Sequence, residues 1–287
     1  MPSRLRRLWV RWCGALPGRG PCLYHWRPRQ GKNFGDELSF HFVLRLVQRA
    51  LGPAFSLPRC AGLACRRRRL LAVGSILHES RPGDVVWGSG INGKVGSRGY
   101  DFSGIDFRAV RGPLTRELVV RNGGACPAVY GDPALLLPRL FPELVDEAQD
   151  ADAGPGTGRP VYLPNLNDAA LTDRRDIQAL GFDLVEPTSP WTDVARAIRS
   201  APLVVGSSLH GIVLADALGR ACRPTLSLFE APLKFEDYFL STGRDHVNYP
   251  RTLREALDLG PLPEPVIDLD SLLEAFPLDI FSGGPPQ

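Results

Sequence analysis

Short apolar runs separated by longer stretches of helical period recur along the chain. Leu203-Val204-Val205 is brief, β-branched and closed by Gly206, the pattern of a strand buried on both faces of a parallel sheet. The period then changes. Ile212, Leu214, Ala215 and Leu218 return at helical spacing, Ser207 or Ser208 stands where a cap belongs, and Gly219 supplies the stop. The same alternation predicts strands at 22–26, 70–73, 84–87, 107–110 and 128–130, then at 161–163, 182–185, 203–205 and 224–228. Helices fit at 36–51, with Phe40, Val43, Leu44, Val47 and Leu51 on one face, and at 174–180, 192–200 and 210–218. A further helix is opened by Pro113 and closed by Gly123-Gly124. The stretch 138–160 has no apolar period and a Gly/Pro-rich centre, so it reads as a linker. The expectation is α/β: two Rossmann-like domains, 1–140 and 160–287, joined by a linker at 141–159 and facing each other across a cleft.

Composition narrows this picture without redirecting it. Among 287 residues, 44% are apolar and 23% charged, enough to build globular cores. The formal charge of +3 comes largely from Arg4, Arg6, Arg7, Arg11 and the run 66–69, and it makes no case for a nucleic-acid protein. Those arginines solvate loops or touch an anionic membrane surface weakly. The six cysteines, Cys13, Cys22, Cys60, Cys65, Cys126 and Cys222, show neither CxxC spacing nor paired histidines, so they read as reduced thiols and no metal site is expected. No signal-peptide core or membrane span is apparent, which leads to the expectation of a cytoplasmic protein.

Candidate chemistry gathers where strands end, because open parallel sheets bind ligands at the carboxyl ends of their strands. His210 lies in the first turn of the helix after 203–205, where free N–H groups and the helix dipole favour an anion and lower the imidazole pKa unless an anion offsets them. On these residues alone it is equally a packing histidine. Asn33-Phe34-Gly35-Asp36 enters a helix, and Asp36 either caps it or accepts a proton from a sugar hydroxyl. Arg111, in Val110-Arg111-Gly112-Pro113-Leu114-Thr115, is a natural anion clamp. Asp132, in Gly131-Asp132-Pro133-Ala134, holds a turn or lines the cleft. Lys234 can donate to a phosphate, whereas Phe235, Tyr238 and Phe239 look like packing. Gly88-Ser89-Gly90 lacks the remainder of a dinucleotide fingerprint. His25, His41, His78 and His246 read as surface or packing residues.

Taken in order, Asn33-Phe34-Gly35-Asp36, Gly88-Ser89-Gly90, Val110 to Thr115, Gly131-Asp132-Pro133-Ala134, Ser208-Leu209-His210-Gly211 and Lys234-Phe235-x-Asp237-Tyr238 resemble the polysaccharide pyruvyl transferase family. The resemblance implies a glycosyltransferase-B-like fold. It also implies transfer of the pyruvyl unit of phosphoenolpyruvate to a sugar, commonly as a cyclic ketal. Phosphoenolpyruvate is then a substrate, with no cofactor. The other partner is a saccharide precursor of bacterial exopolysaccharide or cell wall, in some cases lipid-linked, at the cytoplasmic side of the membrane. Carried over by motif, His210 becomes the general acid, with Asp36 as base. Asn33, Gly35, Gly90, Arg111, Asp132, Ser207, Ser208 and Lys234 become binding residues. Family members often have an arginine where this chain has Ser208, which shifts anion binding onto Arg111 and Lys234. The competing expectations are a nucleotide-sugar glycosyltransferase, marked by a ribose-binding glutamate such as Glu230 or Glu236, and a non-catalytic member.

Overall fold

Parallel pairing organises both halves of the chain. The structure, a computed structural model, describes residues 20–24, 26, 32–60, 65, 67–93, 99–146 and 156–282. The arginines at positions 4–11, Cys13, His25, Arg66 and the centre of the expected linker lie outside them. The first sheet contains β1 (Cys22–Tyr24), β2 (Arg59–Cys60), β3 (Arg69–Leu71), β4 (Val85–Trp87) and β5 (Asp106–Ala109), in the order β2-β1-β3-β4-β5. The second contains β6 (Val161–Tyr162), β7 (Asp183–Leu184), β8 (Leu203–Gly206) and β9 (Ala221–Pro224), in the order β7-β6-β8-β9. Every pairing within the two sheets is parallel. The apolar runs therefore serve as expected, and β1, β3 and β4 are buried at every residue.

Helices connect the strands: α1 (Phe34–Leu51), α2 (Pro113–Arg121), α3 (Leu137–Leu140), α4 (Pro142–Asp146), α5 (Arg174–Ala179), α6 (Trp191–Ser200) and α7 (Leu209–Ala217). α8 (Leu233–Ser241), α9 (Leu253–Leu259) and α10 (Leu269–Glu274) follow the last strand. Pro113 sits in the first turn of α2, where its missing N–H costs nothing. One apolar core runs through both halves, taking in Phe42 and Val47 of α1, Trp191 and Ile198 of α6, and Ile212 and Leu214 of α7. At its centre the Trp191 ring meets Phe42 at 6.1 Å and Phe141 at 5.0 Å between ring centres.

Several expectations are corrected. α1 begins at Phe34 rather than 36, and it buries Phe34, Leu38, Phe42, Val43 and Val47 while Phe40 and Leu44 are half-buried and Leu51 is exposed. So many apolar residues ring this helix that its inward face is set by docking, not by period. The stretch 128–130 forms only a single bridge, Val110 to Tyr130. The last strand lies upstream of 224–228, because Ala221–Pro224 pairs residue for residue with Leu203–Gly206. Residues 138–146, expected as linker, form α3 and α4 and bury Leu140 and Leu144. The C-terminal residues, assigned by sequence to the second domain, return to the first sheet. There Trp87 Nε1 donates to Leu272 O at 2.8 Å, and Arg108 pairs with Asp279 at 2.9 Å.

Candidate active site

His210 occupies the first turn of α7, immediately past the carboxyl end of β8. Ser208 caps that helix in extended conformation, its Oγ accepting from Gly211 N at 3.4 Å. Leu209 and Ile212 to Ala215 bury the apolar body of the helix, which fixes His210 within the protein with its side chain 14% exposed. The start of α1 lies directly against it. A Cβ on Gly35 would lie 2.1 Å from His210 Nδ1, so only glycine lets the backbone come this close. Asn33 caps α1, accepting from Gly35 N at 3.3 Å and donating from Nδ2 to Asp36 Oδ2 at 3.2 Å. Two helix N-termini, one from each half of the chain, thus converge on one imidazole.

Asp132 enters from a third side. Its Oδ1 accepts from Ala134 N at 3.0 Å and holds the turn after Gly131. Its Oδ2 faces His210 Nε2 at 3.6 Å, beyond hydrogen-bond length, and both atoms are buried without a hydrogen-bond partner among the described residues. One oxygen of Asp132 therefore holds the turn, one of the two functions that the sequence left open for it, and the other is turned towards His210.

The electrostatics follow from this burial. Burial, aided by the charges of Lys234 and Arg111, pushes the His210 pKa down to about 3, so the imidazole is neutral at pH 7. Burial raises Asp132 to about 6 against the opposing pull of the Ala134 N–H and Arg111. Asp36 rises to about 7, again through burial, with the Asn33 hydrogen bond and Lys234 opposing and Glu230 adding to the rise. A carboxyl poised near neutrality is suited to accept a proton.

Arg111 is not an open anion clamp. Its guanidinium is buried and committed: Nε donates to Asp237 Oδ2 at 3.0 Å, Nη1 to Ser75 Oγ at 2.6 Å and Nη2 to Ile91 O at 2.7 Å. Gly90 serves the same arrangement, since a Cβ there would lie 2.4 Å from the guanidinium carbon. Asp237 also accepts from Thr115 N at 2.8 Å and from Thr115 Oγ1 at 2.6 Å, so α8 is bound to the start of α2. Tyr238 beside it donates to Asp216 Oδ2 of α7 at 2.7 Å. The Lys-Phe-x-Asp-Tyr block thereby ties together the segments that carry Arg111 and His210. Its remaining polar member, Lys234, pairs with Glu230.

Ser207 lies in a network that the sequence reading missed. Its Oγ accepts from Asn165 N at 3.1 Å, and Asn165 Nδ2 donates to Asp168 Oδ2 at 2.7 Å and to Ser227 Oγ at 3.0 Å. Asn167 Nδ2 extends it to Glu230 Oε1 at 3.1 Å. Leu163-Pro164-Asn165 follows its strand more closely than Asn33 does, so the rule that located the other loops could have found this one. His41 stacks on Trp191 with ring centres 5.3 Å apart, and His246 is exposed, as expected of packing and surface residues.

The two parallel sheets with their connecting helices define an α/β protein. The profile of the polysaccharide pyruvyl transferase family matches residues 69–225, and the chain belongs to that family of transferases. It is similar to the succinoglycan biosynthesis protein ExoV of Rhizobium meliloti, 28% identical over 205 residues. That match covers 68% of this chain and 56% of the relative, so the chain spans little more than half of ExoV's length. Among solved structures, an uncharacterized protein of Klebsiella pneumoniae is 14% identical with a TM-score of 0.41, covering 77% of this chain and 87% of that one. The wall teichoic acid polymerase TagF is 9% identical with a TM-score of 0.42, covering 92% and 83%. Among the described residues no helix is long and apolar enough to cross a membrane.

Proposed function

We propose that the chain transfers the pyruvyl unit of phosphoenolpyruvate to a sugar of an exopolysaccharide or cell-wall precursor and closes a cyclic ketal. The observation that carries this reading is the pair His210 Nε2 and Asp132 Oδ2, 3.6 Å apart, buried and each lacking a hydrogen-bond partner among the described residues. A ligand proton or charge is what such a pair lacks. Family membership and the kinship with a succinoglycan biosynthesis protein support the reaction class.

In this scheme the trianionic donor binds with its charge at the N-termini of α7 and α1 and near Lys234. Its field reverses the burial penalty on His210, and Asp132 stabilises the imidazolium that forms. His210 then protonates the methylene carbon, and C2 becomes an oxocarbenium-like centre. A sugar hydroxyl attacks C2 and gives its proton to Asp36. Phosphate departs, and a second hydroxyl closes the ring. Of the two hydroxyl protons, one balances the new methyl group and the other leaves on phosphate. The first half of the chain presents the acceptor and the second half the donor, across a glycosyltransferase-B-like cleft at the inner face of the membrane.

The test is incubation with phosphoenolpyruvate and a panel of lipid-linked oligosaccharides, following phosphate release and acceptor mass. Acceptor-dependent phosphate release, lost in His210→Gln, is the expected result. Release at the wild-type rate in that variant overturns the mechanism. Glu230, hydrogen-bonded by Asn167 and paired with Lys234, favours one second reading, glycosyl transfer from a nucleotide sugar with Glu230 on the ribose. Transfer from nucleotide sugars alone in the same panel decides for it.

A further inference from the structure

The first sheet brings together three cysteines that the reaction scheme does not use. Cys22 opens β1, Cys60 ends β2, and Cys65 lies in the connection from β2 to β3. Cys22 Sγ lies 2.7 Å from Cys60 Sγ and 3.0 Å from Cys65 Sγ, and all three sulfurs fall within 4.8 Å of one another. Their sequence spacing of 37 intervening residues and then four carries no metal signature; the parallel pairing of β1 with β2 brings Cys60 beside Cys22.

We propose that Cys22, Cys60 and Cys65 bind one zinc ion as three thiolates, with water completing the tetrahedron. Zinc with Zn–S bonds of about 2.3 Å holds its sulfurs roughly 3.8 Å apart, so the 2.7 and 3.0 Å separations widen by about 1 Å when the ion enters, within the 4.8 Å that encloses all three sulfurs. Thiolates select a soft or borderline cation over magnesium or calcium. Cys22 is buried, while Cys60 and Cys65 are half-buried, which leaves one side open to solvent for the fourth ligand. Three thiolates and one divalent ion carry a net charge of −1, and the surroundings are cationic. Arg67 and Arg69 lie within the field of the thiols, Arg69 being also bonded to Asp84, and Arg81 donates to the Cys65 carbonyl. A disulfide between Cys22 and Cys60 leaves Cys65 without a purpose; an ion uses all three.

The gain is structural. β2 is a two-residue edge strand with short backbone pairing, and the ion clamps both it and Cys65 to β1. The site is separate from the transferase reading, and its test does not depend on activity.

The full chain, purified with reductant and without chelator, is analysed for metal by mass spectrometry. It is then stripped and titrated with Zn²⁺ against a chromophoric competitor, and with Co²⁺ for the thiolate charge-transfer and tetrahedral d–d bands. One ion per chain is expected, with binding weakened at least ~10-fold in Cys60→Ser and in Cys65→Ser and unchanged in Cys126→Ser. Cys65→Ser, at a half-buried position, keeps the test valid if Cys22→Ser does not fold. Absence of retained zinc together with absence of cobalt bands overturns the proposal. So does a Cys22-to-Cys60 disulfide in peptide mapping of the chain as isolated without reductant, if zinc is absent from the same preparation.

Discussion

Two buried pairs of a cation-forming side chain and a carboxylate lie near each other, and they are built to opposite ends. Arg111 and Asp237 are closed on themselves: the guanidinium reaches a carboxylate, a hydroxyl and a carbonyl, and the carboxylate takes two further bonds from Thr115. His210 and Asp132 are left open, 3.6 Å apart, with one bare polar atom on each. Burial costs both pairs free energy, but only the first recovers it within the protein. The satisfied pair is scaffold, and the unsatisfied one is the pair to which the proposed function gives a ligand. By residue type alone, Arg111 reads as a natural anion clamp.

The sharpest way to break this contrast is to remove one member of each pair. His210→Gln should reduce transfer by ~10²–10⁴-fold, read as phosphate release, while the midpoint of thermal unfolding changes little. Arg111→Met should do the reverse in kind. It strands Asp237 as a buried charge and should cost about 3–5 kcal/mol of stability in denaturant unfolding, with Arg111→Met combined with Asp237→Leu recovering part of it. An Arg111→Met variant that folds at full stability but loses donor affinity restores Arg111 as a clamp and removes the contrast.

Asp36 and Gly35 refine it from the other half of the chain. Asp36→Asn should lower kcat/KM by ~10²-fold at pH 8 and abolish the rise in rate through pH 7 that deprotonation of a base with pKa about 7 produces. The sign for stability is opposite. A carboxyl whose folded pKa exceeds its unfolded value near 4 favours folding in acid, so its contribution falls as pH rises from about 4 through about 7. Asn in its place removes that slope, and denaturant titrations at pH 4 and pH 8 compare the two proteins. Gly35→Ala puts a methyl group into the space of the His210 ring, and a displacement of order 1 Å should cost roughly 10²-fold in rate. A fully active Gly35→Ala enzyme would mean that the position of His210 does not govern the chemistry.

How much of this was readable beforehand depended on the sequence distance between partners. The strand-to-helix junction at Val204, Gly206, Ser208 and His210 is local, and its element types came out as expected, with Ser208 as the cap. The buried face of α1 did not, because Phe34, Phe40, Phe42, Val43 and Leu44 offer more than one apolar stripe and docking against α6 and His210 selects among them. The commitment of Arg111 was invisible because Asp237 lies 126 residues further on, and no spacing rule spans that gap. The three cysteines were missed for the same reason, their meeting being made by strand register.

The smallest expected effect concerns Ser208, the cap of α7. Its Oγ accepts from Gly211 N, so Ser208→Ala should cost about 1 kcal/mol of stability, the usual worth of an N-cap. A hydroxyl that accepts from the backbone still has its own proton to donate. If Ser208 only caps, KM for phosphoenolpyruvate stays constant in the alanine variant while the unfolding midpoint falls. If it also donates to the bound phosphate, KM rises several-fold, and Ser208→Asn, which keeps the cap, separates the two contributions. The second outcome would place a donor contact on the helix that carries His210, and so move the open pair and the anion site onto one element.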